Sequence, residues 1–298
     1  MRLVTYESDG HWRAGIIVDE DVVDSSIAAM AADIDFDSEW ISNRELIQLS
    51  EKQLTRFENA AWDVASARNS DMDVFPIETA RLGPPIPDPD KIICLGLNYK
   101  SHAEEAGLKS PEVPILFAKY RNALTGPTSP IALPKTSQEI DYEAELAVVI
   151  GKRGKDISVK NALKHVAGYM AFHDVSARDL QFRAGQWLSG KSLDTFAPCG
   201  PALVVNEIDD PQNLNISTRL NGETLQNSNT KHMIFSVAET IAYISQLMTL
   251  EAGDIIATGT PEGVGFKRTP PIFLRDGDIV EVEVEKIGTL RNPVVRQQ

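Results

Sequence analysis

Cysteine is scarce in this 298-residue chain, where only Cys94 and Cys199 occur. Two cysteines that lie so far apart supply neither a disulfide framework nor a zinc-type ligand spacing. Long apolar runs are also absent, and the first residues, MRLVTYESDGHW, contain no apolar signal core. The sequence therefore predicts a protein without a membrane span in a reducing compartment, and we expect it in the cytoplasm.

Basic residues are outnumbered, with 29 Lys and Arg against 43 Asp and Glu, which gives a net charge of −14. A chain this acidic is poorly suited to nucleic-acid phosphates or to an anionic membrane surface, so we expect neither as a partner. Hydrophobic residues make up 42% of the chain, which is enough for a substantial core. The length accommodates one large domain or two of ordinary size.

Turn and capping signals predict an N-terminal unit of short strands followed by one or two helices. The helical stretch begins at a capping-box pair, Ser42 and Glu45, and ends near residue 68. Four prolines within residues 82–91 then indicate a stiff connection, because proline fixes φ and lacks an N–H donor. The predicted organisation is a small α+β domain over 1–75, a proline-rich linker over 76–91 and a catalytic domain over 92–298.

Strands dominate the remainder of the chain and do not alternate regularly with helices. The clearest signals are the hairpin dipeptide Asn221-Gly222 and a second capping box, Ser236 with Glu239, before a helix that ends near Met248. This arrangement predicts an α+β fold with a mixed sheet rather than a doubly wound nucleotide-binding fold.

Residues 185–192, GQWLSGKS, match the P-loop pattern letter for letter. A P-loop needs a strand before it and a helix after it, so that backbone amides and a helix N-terminus hold the phosphates. Here a polar, helix-like segment precedes the motif, and Pro198, Gly200 and Pro201 exclude a long helix after it. We therefore expect no nucleotide site, although Lys191 remains a candidate for another role.

Acidic residues open an otherwise apolar strand, DYEAELAVVIG, at residues 141–151. Side chains alternate along a strand, so Asp141, Glu143 and Glu145 are expected on one face, which continues as Ala147 and Val149. Two carboxylates on alternate positions lie roughly 6–7 Å apart and repel by about 2–3 kcal/mol at an effective dielectric constant of 20. A bound cation would offset this repulsion, and a solvated strand end is the alternative.

Asp174 ends a second apolar strand, GYMAFHDV, where a carboxylate is again costly to bury. Three carboxylates from two strands would form an all-oxygen site, which favours Mg²⁺, Mn²⁺ or Ca²⁺ over zinc or copper. The alternative is that Asp174 caps the turn over residues 176–182.

His102 and Glu105 are three residues apart, so on a helix they share one face. A carboxylate beside an imidazole fixes its tautomer and makes it a general base, whereas a solvated surface pair is the alternative. The polar residues 103–113 that follow are typical of a lid.

These stretches together resemble the fumarylacetoacetate hydrolase family, and most closely its smaller, domain-containing branch. The resemblance covers residues 85–294 densely and in order, whereas residues 1–75 match only loosely. The matching stretches are KIICLGLNYKSHAEE, PILFAKYRNALTGP, DYEAELAVVIGK, HDVSARDLQ, GKSLDTFAPCGP, LNGETLQNSNT and GDIIATGTPEGVG.

The resemblance implies a mixed β-roll with a small N-terminal domain, usually assembled as a homodimer. It implies Mg²⁺ or Mn²⁺, with Ca²⁺ as an alternative occupant in crystals, and a small 2-oxo acid as substrate. No acid stands near Leu95, where larger members have a further ligand, so water is expected to complete the metal shell. The implied roles are metal ligation by Glu143, Glu145 and Asp174, catalysis by His102, Glu105 and Lys191, and substrate binding by Arg178, Gln181 and Thr260.

Family chemistry polarises a 2-oxo acid or 1,3-dicarbonyl group, so several reactions remain open. Our first expectation is hydrolytic C–C cleavage of an acylpyruvate-type compound. Oxaloacetate decarboxylation and keto–enol tautomerisation are the alternative. A non-catalytic metabolite binder is a third reading, although such a protein would be free to lose His102.

Overall fold

The structure is a computed structural model that describes residues 1–38, 41–67, 73–105, 107 and 109–296. Among these residues no helix is long and apolar enough to cross a bilayer. The strands are β1 (Arg2–Ser8), β2 (His11–Val18), β3 (Asp21–Asp24), β4 (Val74–Pro76), β5 (Leu82–Gly83), β6 (Ile92–Gly96), β7 (Ile115–Lys119), β8 (Leu124–Thr125), β9 (Ile131–Leu133), β10 (Ile140–Asp141), β11 (Ala144–Ile150), β12 (Val166–His173), β13 (Ser176–Ala177), β14 (Ala197–Val204), β15 (Asn215–Leu220), β16 (Glu223–Asn229), β17 (Ile255–Ala257), β18 (Ile279–Val284) and β19 (Gly288–Arg296).

The helices are mostly short and lie between the strands. The α-helices are α1 (Ser25–Ala31), α2 (Asn43–Leu46), α3 (Glu51–Ala67), α4 (Lys100–Glu105), α5 (Val159–Ala162), α6 (Arg178–Gln181), α7 (Leu188–Lys191) and α8 (Val237–Leu247). Single 3₁₀ turns cover Ile77–Thr79, Arg121–Ala123, Leu163–His165, Thr230–His232 and Gly265–Lys267.

A large mixed sheet carries the centre of the molecule. Its strands run in the order β4-β3-β2-β1-β14-β12-β11-β17-β6-β7, with β5 beside β1 and β8 beside β14. A second sheet has the order β16-β15-β18-β19-β9, and β10 pairs with β13. Most pairs are antiparallel, whereas β6 with β17, β8 with β14 and β9 with β19 run parallel.

Strand β11 is covered on both faces because it lies between two hydrophobic cores. Ala147 and Val149 belong to one core, whereas Leu146 and Val148 belong to the other. Every residue of β11 is buried. A carboxylate on this strand is therefore held away from bulk water.

The local signals in the sequence are confirmed. Ser42 and Ser236 each form a capping box, and the predicted helical stretch after Ser42 is a pair of helices. Asn221 and Gly222 both have positive φ, 53° and 85°, as a tight hairpin between β15 and β16 requires. The end of the helical stretch near residue 68 lies outside the described residues.

The sheet is continuous across the predicted domain boundary. Strand β1 pairs with β14, and the proline-rich stretch packs against β1, where the Thr5 hydroxyl donates to the carbonyl of Pro85 at 3.1 Å. Ile86 in the same stretch is fully buried. The division at 75 and 91 stays a prediction, and so does the lid over 103–113, in which residues 106 and 108 lie outside the described residues.

Candidate metal centre and active site

Three carboxylates converge where β11 begins and β12 ends. Glu143 precedes β11, Glu145 lies on it, and Asp174 follows β12. The backbone N–H of Asp174 donates to the carbonyl of Glu143 at 3.0 Å, which joins the two segments. Ligand oxygens of the three side chains lie within 4.8 Å of one another, and all three residues are buried. The acids are therefore an interior cluster rather than a solvated strand end.

Asp141 does not share in this cluster, contrary to the strand alternation expected from the sequence. Strand β10 ends at Asp141 and β11 begins at Ala144, so the extended run is interrupted between them. The Asp141 carboxylate instead accepts from Nε of Arg178 at 2.8 Å and from the N–H of Gly265 at 2.7 Å. It thereby anchors an arginine beside the site.

Two buried lysines neutralise part of the cluster. Nζ of Lys191 donates to Glu143 at 2.8 Å and to Asp174 at 2.7 Å, and Nζ of Lys119 donates to Asp174 at 2.5 Å. Burial alone would lower the pKa of Lys191, but the two carboxylates outweigh it and raise that pKa. Burial lowers the pKa of Lys119, and the attraction of Asp174 offsets this only in part. Because lysines hold its carboxylate, Asp174 is not the cap of the following turn.

Glu145 is the carboxylate of the cluster that neither Lys119 nor Lys191 contacts. Its Oε2 accepts from the N–H of Gly259 at 2.9 Å, whereas its buried Oε1 has no hydrogen-bond partner among the described residues. Burial, reinforced by repulsion from Asp174 and Glu143, raises its pKa well above the usual range. An oxygen-only cluster with one unpartnered carboxylate oxygen fits a hard divalent ion, which would supply the missing positive charge.

Arg178 contacts both the acidic cluster and Gln181. Its Nη2 donates to Glu143 at 2.6 Å and its Nη1 donates to Gln181 at 2.9 Å. The guanidinium carbon lies 4.3 Å from the ring centre of Phe266, in a cation–π contact. The structure thus brings together Arg178 and Gln181, which the resemblance placed on the substrate side.

His102, which is buried, and Glu105, which is partly buried, form a pair on α4. Nδ1 of His102 lies 3.3 Å from the carboxylate of Glu105, which also accepts from the N–H of Gly263 at 3.1 Å. Only 8% of the His102 side chain is exposed, so the pair is not a solvated surface contact. The carboxylate can hold the imidazole in one tautomer, which leaves the other ring nitrogen, Nε2, for proton transfer.

A cavity of about 170 Å³ is lined both by Glu143 of the acidic cluster and by His102. Its wall combines a few charged side chains with a largely apolar and aromatic surface. The lining residues are Leu95, Gly96, Leu97, His102, Phe117, Glu143, Arg178, Gln181, Phe182, Trp187, Lys191, Thr260, Phe266 and Lys267. The cavity can therefore hold a small anion between the acidic cluster and the imidazole.

The residues of the P-loop match follow a short helix, α6, and do not have the strand–loop–helix context that a P-loop requires. Residues Leu188–Lys191 form one helical turn whose lysine is held by two carboxylates. A side chain at Gly190 would lie 2.6 Å from the carbonyl oxygen of Ala177, so this glycine permits close backbone packing. Lys191 belongs to the acidic site.

The sequence reasoning missed Lys119, Gln226 and Gly259. Lys119 ends the apolar strand β7, and its buried position depends on pairing with β6. Gln226 reaches the site from the second sheet, where it donates to Thr260 at 2.9 Å. Gly259 acts through its backbone N–H, which no sequence pattern reveals.

Comparison with known proteins gives a consistent assignment. Residues 91–295 match the family described as fumarylacetoacetate (FAA) hydrolase C-terminal. A Xenopus laevis relative named oxaloacetate tautomerase fahd2, mitochondrial, is 48% identical over 80% of this chain and 76% of its own.

Solved structures agree over the full length of both chains. A fumarylacetoacetate hydrolase from psychrophilic Exiguobacterium antarcticum is 37% identical with a TM-score of 0.79. A 5-carboxymethyl-2-hydroxymuconate delta-isomerase from Mycobacterium smegmatis is 34% identical with a TM-score of 0.75.

The chain belongs to the fumarylacetoacetate hydrolase family, and the predicted α+β fold of that family is confirmed. It is a member of an enzyme family, with a buried acidic triad that could hold a divalent ion. The cytoplasmic location predicted from the sequence is contradicted, because the Xenopus laevis relative and others are named mitochondrial.

Proposed function

We propose that this protein is a divalent-metal-dependent oxaloacetate tautomerase, which converts the enol form of oxaloacetate into the keto form. The observation that carries the proposal is the contact between His102 and Glu105, because the buried imidazole lines the same small cavity as Glu143 of the acidic cluster. The name of the Xenopus laevis relative and the isomerase among the structural relatives support it. This places tautomerisation ahead of the acylpyruvate hydrolysis expected first from the sequence.

Glu143, Glu145 and Asp174 would hold Mg²⁺ or Mn²⁺. The bound ion would polarise the 2-oxo acid group and stabilise the negative charge that develops on its oxygen. Lys191 supplies a second positive charge at the same place, since its ammonium contacts two of the three carboxylates.

His102 is the group that moves the proton. The enol hydroxyl loses one proton and the neighbouring carbon gains one, so no water is consumed and no carbon–carbon bond breaks. One imidazole can accept the first proton and donate the second, while Glu105 holds the ring in place. Thr260 lines the same cavity and can bind a substrate carboxylate through its hydroxyl.

Lys267 favours a substrate with two carboxylates. It lines the cavity, and within the described part of the chain its ammonium has only a cation–π contact, 5.0 Å from the ring centre of Phe266. Arg178 and Lys191 are already engaged by carboxylates of the protein. The unengaged lysine would face the second carboxylate of a four-carbon diacid.

Hydrolysis of an acylpyruvate is the second candidate. The same buried imidazole could activate a water molecule, and the Exiguobacterium antarcticum relative is named a hydrolase. Decarboxylation of oxaloacetate would need no water attack and is the further alternative. We also propose that the protein is a homodimer, which light scattering would check. We propose a small-molecule substrate and no nucleic-acid or membrane partner, which binding assays would check.

A substrate panel with Mg²⁺ or Mn²⁺ tests the function. The loss of the ultraviolet absorbance of enol-oxaloacetate reports tautomerisation, pyruvate formation reports decarboxylation, and acetylpyruvate and fumarylpyruvate report hydrolysis. We expect the enol signal to decay far faster than without enzyme, and His102→Asn to lose roughly 10²–10⁴-fold of that acceleration. Hydrolysis of acetylpyruvate without any acceleration of the enol decay would overturn the proposal.

A further inference from the structure

Gln226 lies outside the cavity lining yet makes a dense set of polar contacts next to it. The residue is on β16 in the second sheet, and only 1% of it is exposed. Its Oε1 accepts from the N–H of Ala144 at 3.0 Å and from the hydroxyl of Thr218 at 2.6 Å. Its Nε2 donates to the hydroxyl oxygen of Thr260 and to the carbonyl of Pro261, both at 2.9 Å.

The two ends of this amide reach different parts of the active site. Ala144 lies between Glu143 and Glu145 in the chain. The side-chain oxygen of Gln226 therefore holds the backbone of the segment that carries two metal-ligand candidates. The nitrogen end holds Thr260 and Pro261 in the loop over residues 259–263.

The 259–263 loop is hydrogen-bonded both to the acidic cluster and to the carboxylate that contacts His102. The N–H of Gly259 donates to Glu145, and the N–H of Gly263 donates to Glu105, the partner of His102. A single side chain therefore spans the gap between the acidic cluster and the loop that orients the imidazole pair.

We propose that Gln226 is a positioning residue that sets the spacing between the metal-ligand segment and the 259–263 loop. An amide suits this place because it accepts through one end and donates through the other, whereas a carboxylate would face the Pro261 carbonyl without a proton to donate. This positioning role rests on the proposed function only where turnover of enol-oxaloacetate is measured, because metal affinity can be measured without substrate.

Gln226→Met tests the proposal, since methionine has a similar shape and lacks both hydrogen-bonding ends. The dissociation constant for Mn²⁺ alone is measured by electron paramagnetic resonance, well below the unfolding temperature. We expect it to rise roughly 10–100-fold, as for other residues that orient metal ligands. We also expect kcat for enol-oxaloacetate to fall more than KM rises, because the imidazole pair is displaced.

Asn292→Leu is the matched control. Asn292 is another fully buried amide, and it donates to the carbonyls of Gly126 and Ser129 away from the cavity. Its loss should lower the unfolding temperature while the Mn²⁺ dissociation constant and the ratio of kcat to KM stay unchanged.

The proposal is overturned if Gln226→Met binds Mn²⁺ as tightly as the unaltered protein, or if Asn292→Leu weakens Mn²⁺ equally at equal loss of stability. If Gln226→Met does not fold, Thr218→Val carries the test, because it removes only one donor to the Gln226 oxygen. That variant should weaken Mn²⁺ by a smaller factor, and unchanged Mn²⁺ affinity there would overturn the proposal. If the unaltered protein binds Mn²⁺ but does not accelerate the enol decay, the proposed function fails and the positioning role is still measured.

Discussion

Replacing Glu145 by glutamine separates a metal centre from a purely structural cluster. The amide keeps an oxygen for the Gly259 N–H and removes a charge that no lysine of the described chain contacts. Because burial and two neighbouring carboxylates raise the pKa of Glu145, its charged form is disfavoured in the metal-free protein. We therefore expect Glu145→Gln to leave the metal-free protein as stable as before or slightly more stable.

The effect of Glu145→Gln on stability is expected to be large only when metal is added. An ion at a hundredfold excess over its dissociation constant stabilises the folded protein by about 2.7 kcal/mol. For 298 residues, with an unfolding entropy of about 2.1 cal/mol/K per residue, that corresponds to an increase of about 4 °C in Tm. If Glu145→Gln raises the dissociation constant about a hundredfold, the same concentration adds only RT ln 2, about 0.4 kcal/mol.

Thermal unfolding in chelator measures the stability of the metal-free protein, and thermal unfolding in Mg²⁺ or Mn²⁺ measures the stabilisation that the metal adds. Glu139→Gln is the control, because Glu139 is exposed and precedes the site in the same segment. That variant should retain the full metal-induced increase in Tm. A Glu145→Gln protein whose Tm rises with metal as much as that of the unaltered protein would refute the assignment of the centre.

Three further substitutions separate the roles of the surrounding groups. Glu143→Gln should lower metal-free stability by up to about 3–5 kcal/mol, measured by urea unfolding, because it removes one of the two carboxylates that Arg178 and Lys191 each contact in the interior. Lys119→Met should destabilise the metal-free protein by a similar amount, about 3–5 kcal/mol, since Asp174 loses a buried partner; unchanged unfolding would contradict this ion pair. Gly265→Ala would bring a Cβ within 2.5 Å of Asp141, which holds Arg178, so a lower Tm and a higher KM are expected. An unchanged KM would argue that the contact between Asp141 and Arg178 does not affect substrate binding.

Much of the local structure was readable from short stretches of sequence. Asn221-Gly222 predicted its hairpin because glycine and asparagine tolerate positive φ, and Ser236 predicted its helix start because a hydroxyl three residues before a glutamate forms a capping box. These signals act over a few residues, so packing elsewhere does not change them. The family was recognisable for the same reason, since its motifs are short and contiguous.

The acidic residues were found in the sequence because a carboxylate is unfavourable on an apolar strand. The sequence did not show that cations of the protein itself offset part of their charge. Repulsion between Glu143 and Glu145 suggested that a cation was needed. In the folded chain two lysines and an arginine supply part of that charge. Among the described residues, no lysine or arginine contacts the Glu145 carboxylate. The regular alternation that placed Asp141 in the cluster fails because the strand is interrupted before Ala144.

The sequence by itself determined the turns, the caps, the buried strand and the kind of atoms available at the site. Only the tertiary structure decided which charges meet, because a buried charge is paired by strands that are distant in sequence. Lys119 reaches Asp174 across 55 residues, and Gln226 reaches Ala144 across 82. No local pattern carries these contacts, since they depend on the order in which β-strands lie side by side in the sheets.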